Sequence, residues 1–304
     1  MRLSIKLLIL CLLTGTLFGA TIPDDIKKAV VFIYKEAESP TQFRPDGTGF
    51  LVSVPNPVQP GTGWLYLITA KHVLHTDPNN VSSPLYQRLF VRLNKRSGDA
   101  EMFQVSIITS GVGQTVFLHV DGTVDIAVIP IAVPDPKLYD LKVIPEGWLA
   151  TSDDIAKNHI GVGTDVFFTG MFTPYLGQRK SYPIVRFGKV AMLPTEKVSF
   201  AGADIEAYLV ETFAFGGNSG SPVFFYLGSD RDTGSIFVGP PIIKVAGVMK
   251  GSFNDVEPVK AAQVASTGNQ IVPVSIANAG IAVVVPAEKV EDILHSAALE
   301  SRRH

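Results

Sequence analysis

The stretch "ETFAFGGNSGSPVFF", Glu211 to Phe225, sets one hydroxyl, Ser219, among glycines immediately before an apolar run. Glycine permits tight turns and lets backbone approach a ligand closely, so such a segment suits backbone that must wrap a reacting group. It also suits a plain strand-connecting loop, and the rest of the chain has to separate the two. Serine is a weak nucleophile at neutral pH and needs an adjacent base, usually a histidine oriented by a carboxylate. Six histidines are available. His72 directly follows the run "WLYLITA", at the end of a rigid element, whereas His75 lies one helical turn later and points elsewhere. His119 sits inside "FLHV", His159 in a connecting region, and His295 and His304 in the tail. Among the acids, Asp125 opens the otherwise apolar "DIAVIPI". Burying a carboxylate without a partner costs about 3 kcal/mol or more, so Asp125 needs one, either a charged group or a backbone N–H. Asp121, in "VDGT", is the second choice, but beside Gly122 it reads as a turn residue.

These residues need strands to hold them. "AVVFIYKE", "GTGFLVSV", "GWLYLITA", "RLFVRLN", "FQVSIIT" and "DIAVIPI" are short β-branched and apolar runs bounded by turn residues. A proline-bearing linker, Val133 to Gly147, follows, and then "DVFFTG", "PIVRFGKVAML", "IEAYLVET", "SPVFFYL", "IIKVAGVMKG" and "GIAVVVP" repeat the texture. Only "PAEKVEDILHSAALES" has helical spacing, with Val290, Ile293, Leu294 and Ala297 on one face. Asn254–Ala279 lacks periodicity and reads as a long surface loop. The pattern predicts an all-β protein: two antiparallel six-stranded β-barrels side by side, then a C-terminal helix. The expected division is a leader over 1–20, a first barrel over 21–133 carrying His72 and Asp125, and a linker over 134–163. A second barrel over 164–286 carries Ser219, and a helix and tail fill 287–304.

Apolar residues make up 46% and charged residues 18%, which excludes a disordered chain. Arg2 and Lys6, the apolar run Leu7–Leu13 and the small residues up to Ala20 have the layout of a secretory signal peptide, too short to span a membrane. Its removal near Gly19 or Ala20 moves the formal net charge from −2 to about −4, which excludes a basic nucleic-acid surface. The lone cysteine, Cys11, lies in that leader, so the mature protein holds no disulfide. No H-E-x-x-H and no C-x-x-C pair is present, so no metal and no cofactor is expected. The expected product is a secreted or periplasmic protein, monomeric, with no stable membrane association once the leader is gone.

"TAKHVL", "DIAV" and "GGNSGSPV", in the order His, Asp, Ser, resemble the chymotrypsin-fold (trypsin-like) serine proteases. Within them, the chain resembles the cysteine-free bacterial branch that includes the glutamyl endopeptidases and the HtrA-type protease domains, and "GTGFLV" resembles the strand preceding the histidine strand there. The resemblance runs from about Val30 to the terminal helix. It implies Ser219 as nucleophile, His72 as general base and then acid, and Asp125 as the group orienting His72. The backbone N–H groups of Gly217 and Ser219 would form the oxyanion hole, and a side chain at Gly217 would obstruct that turn. Asn218 stands where digestive relatives have an aspartate, as in the bacterial branch. The resemblance puts the substrate pocket at Phe213 and Ala214, with Met249 in the later wall. Met249 replaces the histidine of glutamyl endopeptidases, so the pocket is expected to be apolar and to prefer uncharged residues, with Lys250 beside it as the group that would favour acidic ones. The function implied is an exported serine endopeptidase acting on proteins or peptides. Alternatives are a catalytically inactive binding or chaperone-like module on the same fold, and an esterase using the same three residues.

Overall fold

The computed structural model describes residues 21–37, 42–80, 82–228, 240–258 and 274–303. The expected leader, with Cys11, lies outside the described residues. After a short helix α1 (Asp24–Lys28), the first half forms β1 (Val30–Glu36), β2 (Phe43–Pro55), β3 (Gly63–Thr69), β4 (Arg88–Asn94), β5 (Ala100–Ser106), β6 (Phe117–Leu118), β7 (Ala127–Ile131) and β8 (Ile144–Pro145). A capped helix α2 (Ser152–Lys157) precedes the second half, which forms β9 (Asp165–Gly170), β10 (Ile184–Met192), β11 (Val198–Phe200), β12 (Ala203–Ile205), β13 (Tyr208–Glu211), β14 (Pro222–Leu227), β15 (Ile242–Pro258) and β16 (Val274–Pro286). The helices α3 (Glu288–Leu294) and α4 (Ala297–Glu300) end the chain.

The second half is a closed antiparallel barrel in the order β10-β13-β16-β15-β14-β9. The first half is an eight-stranded sheet in the order β5-β4-β1-β2-β3-β7-β6, with β8 paired to β2. Its ladder does not close as the second barrel's does. The strand β6 has only two residues, and between β5 and β6 the backbone offers isolated bonds, the Thr115 and Val116 N–H groups both donating to Ile108 O, instead of a register. The architecture is therefore all-β, one closed six-stranded barrel beside a second sheet system, with short helices at the end.

Alternation along the strands explains why both halves read as near-continuous apolar runs. On β14, Val223 and Phe225 point into the second barrel's core, while Phe224 joins a second cluster shared with Phe50, Val52 and Ile68 of the first half. On β2, Leu51 turns the other way, into the first half's own core with Val31, Ile33 and Leu67. Both faces of these strands are thus buried, each large side chain contributing roughly 1.5–3 kcal/mol. Phe167, the cross-strand partner of Phe224 on β9, stacks on it at a ring separation of 4.8 Å within the shared cluster.

Two expectations are corrected. The stretch expected as a surface loop includes the outer end of a long hairpin, Asn254–Pro258 pairing with Val274–Asn278, beyond the inner strands that the sequence predicts; its middle, 259–273, lies outside the described residues. The pairing is interrupted by register shifts at Met249/Gly251 and Ser252/Asn254, which blur the period-two signal. The expected terminal helix is two helices. Ser296 sits in extended conformation between them, its hydroxyl donating to Ile293 O at 2.8 Å. Val290, Ile293 and Leu294 are buried as the spacing predicts, but the bend exposes Ala297 and buries Leu299 in its place.

Candidate active site

His72 lies in a 3-10 turn, Lys71–Leu74, immediately after β3, and Asp125 lies just before β7, the neighbour of β3 in the sheet. Adjacent strand ends therefore bring together two residues 53 apart. His72 Nδ1 is 2.6 Å from Asp125 Oδ2, and the His72 backbone N–H donates to Asp125 Oδ1 at 2.9 Å. The ionised carboxylate can only accept, so Nδ1 carries the proton and Nε2 is left as the acceptor.

Asp125 has a further partner that the sequence did not point to. Lys250 Nζ, from β15, donates to the same Oδ2 at 2.9 Å, with the lysine side chain 14% and the aspartate side chain 3% exposed. Burial alone would raise the Asp125 carboxyl, but the charges and hydrogen bonds of His72 and Lys250 outweigh it and hold the group well below the usual carboxylate range. Lys71 is the next cation along. Burial lowers its ammonium, with Asp125 opposing that and Lys250 adding to it, and its Nζ donates to Gly122 O.

Ser219 follows a β-turn, Phe215–Asn218, closed by the Asn218 N–H donating to Phe215 O at 3.0 Å. Gly217 occupies the third position with φ +93°, as a type II turn requires, and a Cβ there would meet Thr173 and Met171. Gly220 has φ +84°, and a Cβ there would collide with Thr48 O, Thr69 Oγ1 and Ala70 N. Gly220 lets the turn press against the strand end that carries His72, and Gly217 lets it press against the segment after β9. Asn218 is buried and locks the turn without charge: its Oδ1 accepts from Phe215 N–H at 2.8 Å and its Nδ2 donates to Met171 O at 2.6 Å.

Backbone donors divide sharply across this segment. The N–H groups of Asn218, Gly220 and Ser221 are used within the protein, by Phe215 O, Met249 O and Asn218 O. Those of Gly216, Gly217 and Ser219 have no acceptor among the described residues, and the last two lie on either side of the Gly217–Asn218 peptide. The Ser219 hydroxyl donates to Lys250 O at 3.3 Å, and no hydrogen bond joins it to the His72 ring among the described residues.

The remaining candidates have structural partners. His75 is buried with Nδ1 2.8 Å from Ser83 O. Asp121 accepts from the backbone and hydroxyl of Thr123, which with Lys197 and His119 lowers it to about 2, as a turn aspartate. Ala214 and Met249 belong to the second barrel's core at 4% and 0% exposure, leaving neither side chain a surface for a substrate. Phe213 is 58% exposed. The polar groups around it include Arg186, whose Nη1 donates to Phe213 O at 3.1 Å, and Asn278, whose Nδ2 donates to Ala214 O and to Ser252 Oγ. Among the described residues no cluster of histidine, cysteine and acidic side chains has the arrangement of a metal site, and no helix is long and apolar enough to cross a membrane.

No protein-family model matches the chain, and no curated protein matches it. Solved structures similar to it include the MamO protease domain from Magnetospirillum magneticum in apo form. That match has 14% identity, covers 90% of this chain and 98% of the other, and has a TM-score of 0.48. An inactive serine-to-alanine mutant of Rv3671c from M. tuberculosis H37Rv matches at 15% identity, covering 91% and 89%, with a TM-score of 0.43. The Rv3671c protease in its inactive form matches at 15%, covering 89% of each chain, also at 0.43. With its closed second barrel carrying Ser219, and with His72 and Asp125 meeting at adjacent strand ends of the first half, the chain has the trypsin-like, chymotrypsin-type fold.

Proposed function

We propose that the protein is an exported serine endopeptidase that hydrolyses peptide bonds through an acyl-enzyme on Ser219. The observation that carries this reading is the pair of unengaged amides, that of Gly217 and Ser219's own, on a turn packed against the strand end that carries an aspartate-oriented histidine. In the reaction, Ser219 Oγ turns from Lys250 O to His72 Nε2, loses its proton to that nitrogen and attacks the scissile carbonyl carbon. The oxygen that becomes negative receives that pair of N–H groups, and one such donor is worth roughly 3 kcal/mol in the transition state. The imidazolium, stabilised by Asp125, then protonates the leaving amine. Water, activated by the same ring, releases the acyl group and restores Ser219. Phe213, exposed ahead of the nucleophile turn, is the member of the expected pocket retained in this reading. Export rests on the layout of the leader, and peptides or proteins are the partners it implies.

The open Ser219–His72 link favours one second reading, a binding module that retains the site without turnover. Catalytic hydrogen bonds often close only on substrate binding, so this geometry is compatible with either. The test is digestion of a mixed peptide library by the mature protein, with cut bonds identified by mass spectrometry and Ser219→Ala as control. Cleavage by the wild type and none by the variant supports the peptidase; an intact library with both supports the binder.

A further inference from the structure

Thr48 is fully buried on β2, between Gly47 and Gly49, and every polar atom it has is used. Its N–H donates to Ser219 O at 2.8 Å, and its O accepts from Thr69 Oγ1 at 2.7 Å. Its hydroxyl donates to Gly217 O at 2.7 Å and accepts from Met171 N–H at 3.1 Å. One residue of the first half thus grips the nucleophile turn at two carbonyls and the chain just after β9 at a third point. Gly217 O belongs to the peptide plane between Gly217 and Asn218. That plane separates the unengaged amides of Gly217 and Ser219, and its other end, the Asn218 N–H, is fixed on Phe215 O.

We propose that Thr48 is a positioning residue whose hydroxyl, by holding the Gly217 carbonyl, fixes the orientation of the amides of Gly217 and Ser219 toward a substrate oxyanion. This rests on the peptidase reading above. A threonine that only filled space would serve equally well as valine. Valine here leaves Gly217 O and Met171 N–H without partners in a buried place, and the turn is free to rotate its peptides to recover them.

Three variants separate the roles. T48V keeps the shape and loses the hydroxyl; T48S keeps the hydroxyl and loses a methyl. T48V is expected to lower kcat by about 10- to 100-fold with KM nearly unchanged, less than outright loss of an oxyanion donor. Its affinity for a peptide aldehyde is expected to fall in parallel. T48S is expected to stay within about threefold of wild type. T48V at full kcat, or T48S as impaired as T48V, overturns the assignment. If T48V does not fold, T48A replaces it with the same expected direction, and a full kcat in T48A overturns the assignment equally. The amide 1H–15N signals of Gly217 and Ser219 give a readout independent of turnover: they are expected to move in the hydroxyl-less variant and not in T48S. Unmoved signals overturn the clamp whatever the activity. A wild-type protein that cuts no peptide, with those signals moving as expected, defeats the peptidase reading and leaves the clamp in place.

Discussion

The contact between Lys250 and Asp125 is the sharpest test of the site's electrostatics. Asp125 is 2% exposed, and its Oδ2 accepts from both His72 Nδ1 and Lys250 Nζ. Lys250→Met keeps the aliphatic stem and removes the ammonium. Removing one partner of a buried ion pair costs about 3–5 kcal/mol when the other charge is abandoned. Here His72 still supplies its ring and backbone donors, so the loss should be nearer that of one charge-assisted hydrogen bond, about 2 kcal/mol. Asp125→Asn should cost a comparable amount, because it leaves the largely buried Lys250 ammonium without its counter-charge. The double variant removes both charges and should cost clearly less than the sum, giving a coupling of about 2 kcal/mol. Urea unfolding of the four proteins at pH 7 measures it. Additivity within about 0.5 kcal/mol would refute the claim that Lys250 and Asp125 interact as a pair.

Other outcomes follow from the same geometry. Asp125 is held below its ordinary range, so the stability it contributes is complete above the unfolded carboxyl range, near pH 4, and is lost as pH falls through the lower folded value. The stability gap between wild type and Lys250→Met should therefore narrow as unfolding is measured from pH 5 down to pH 2; a constant gap would contradict this. Because the Lys250 ammonium is engaged by Asp125, it should not select acidic residues, and a cleavage profile dominated by Glu or Asp before the cut bond would argue against the engaged geometry. Asn218 locks its turn through Phe215 N–H and Met171 O with no charge, so a buried new amino terminus has no counter-ion to meet. Protein starting at Thr21 and protein with a few residues in front should turn over substrate alike, and a large rise on trimming to one defined terminus would refute that.

What the sequence made legible was whatever is encoded locally. His72 and Asp125 stand out because each sits at the edge of an apolar run, and Ser219 because glycines crowd its turn. Lys250 did not, since its partner lies 125 positions earlier and nothing in "VMKG" marks the ammonium as bound for it. Thr48 likewise hides in "GTGF", its hydroxyl meeting a carbonyl 169 positions on. Met249 was placed in the pocket wall by the resemblance alone, and a resemblance in position does not say that the side chain turns into the barrel core, as it does here. The inner strands of the β15–β16 hairpin were legible as apolar runs, but its outer end escaped because Asn254–Pro258 carries two acidic residues and a proline where alternation would mark a strand. The first half's open seam depends on how far β5 and β6 reach, which composition does not determine.

The most direct test of the central claim is labelling of the folded mature protein with a fluorophosphonate, followed by mass spectrometry of the peptide that carries Ser219. The geometry predicts one adduct per chain, on Ser219, strongly reduced by His72→Ala and absent in Ser219→Ala. Folded wild-type protein that takes up no label, or takes it up equally well without His72, would contradict an activated serine at this site.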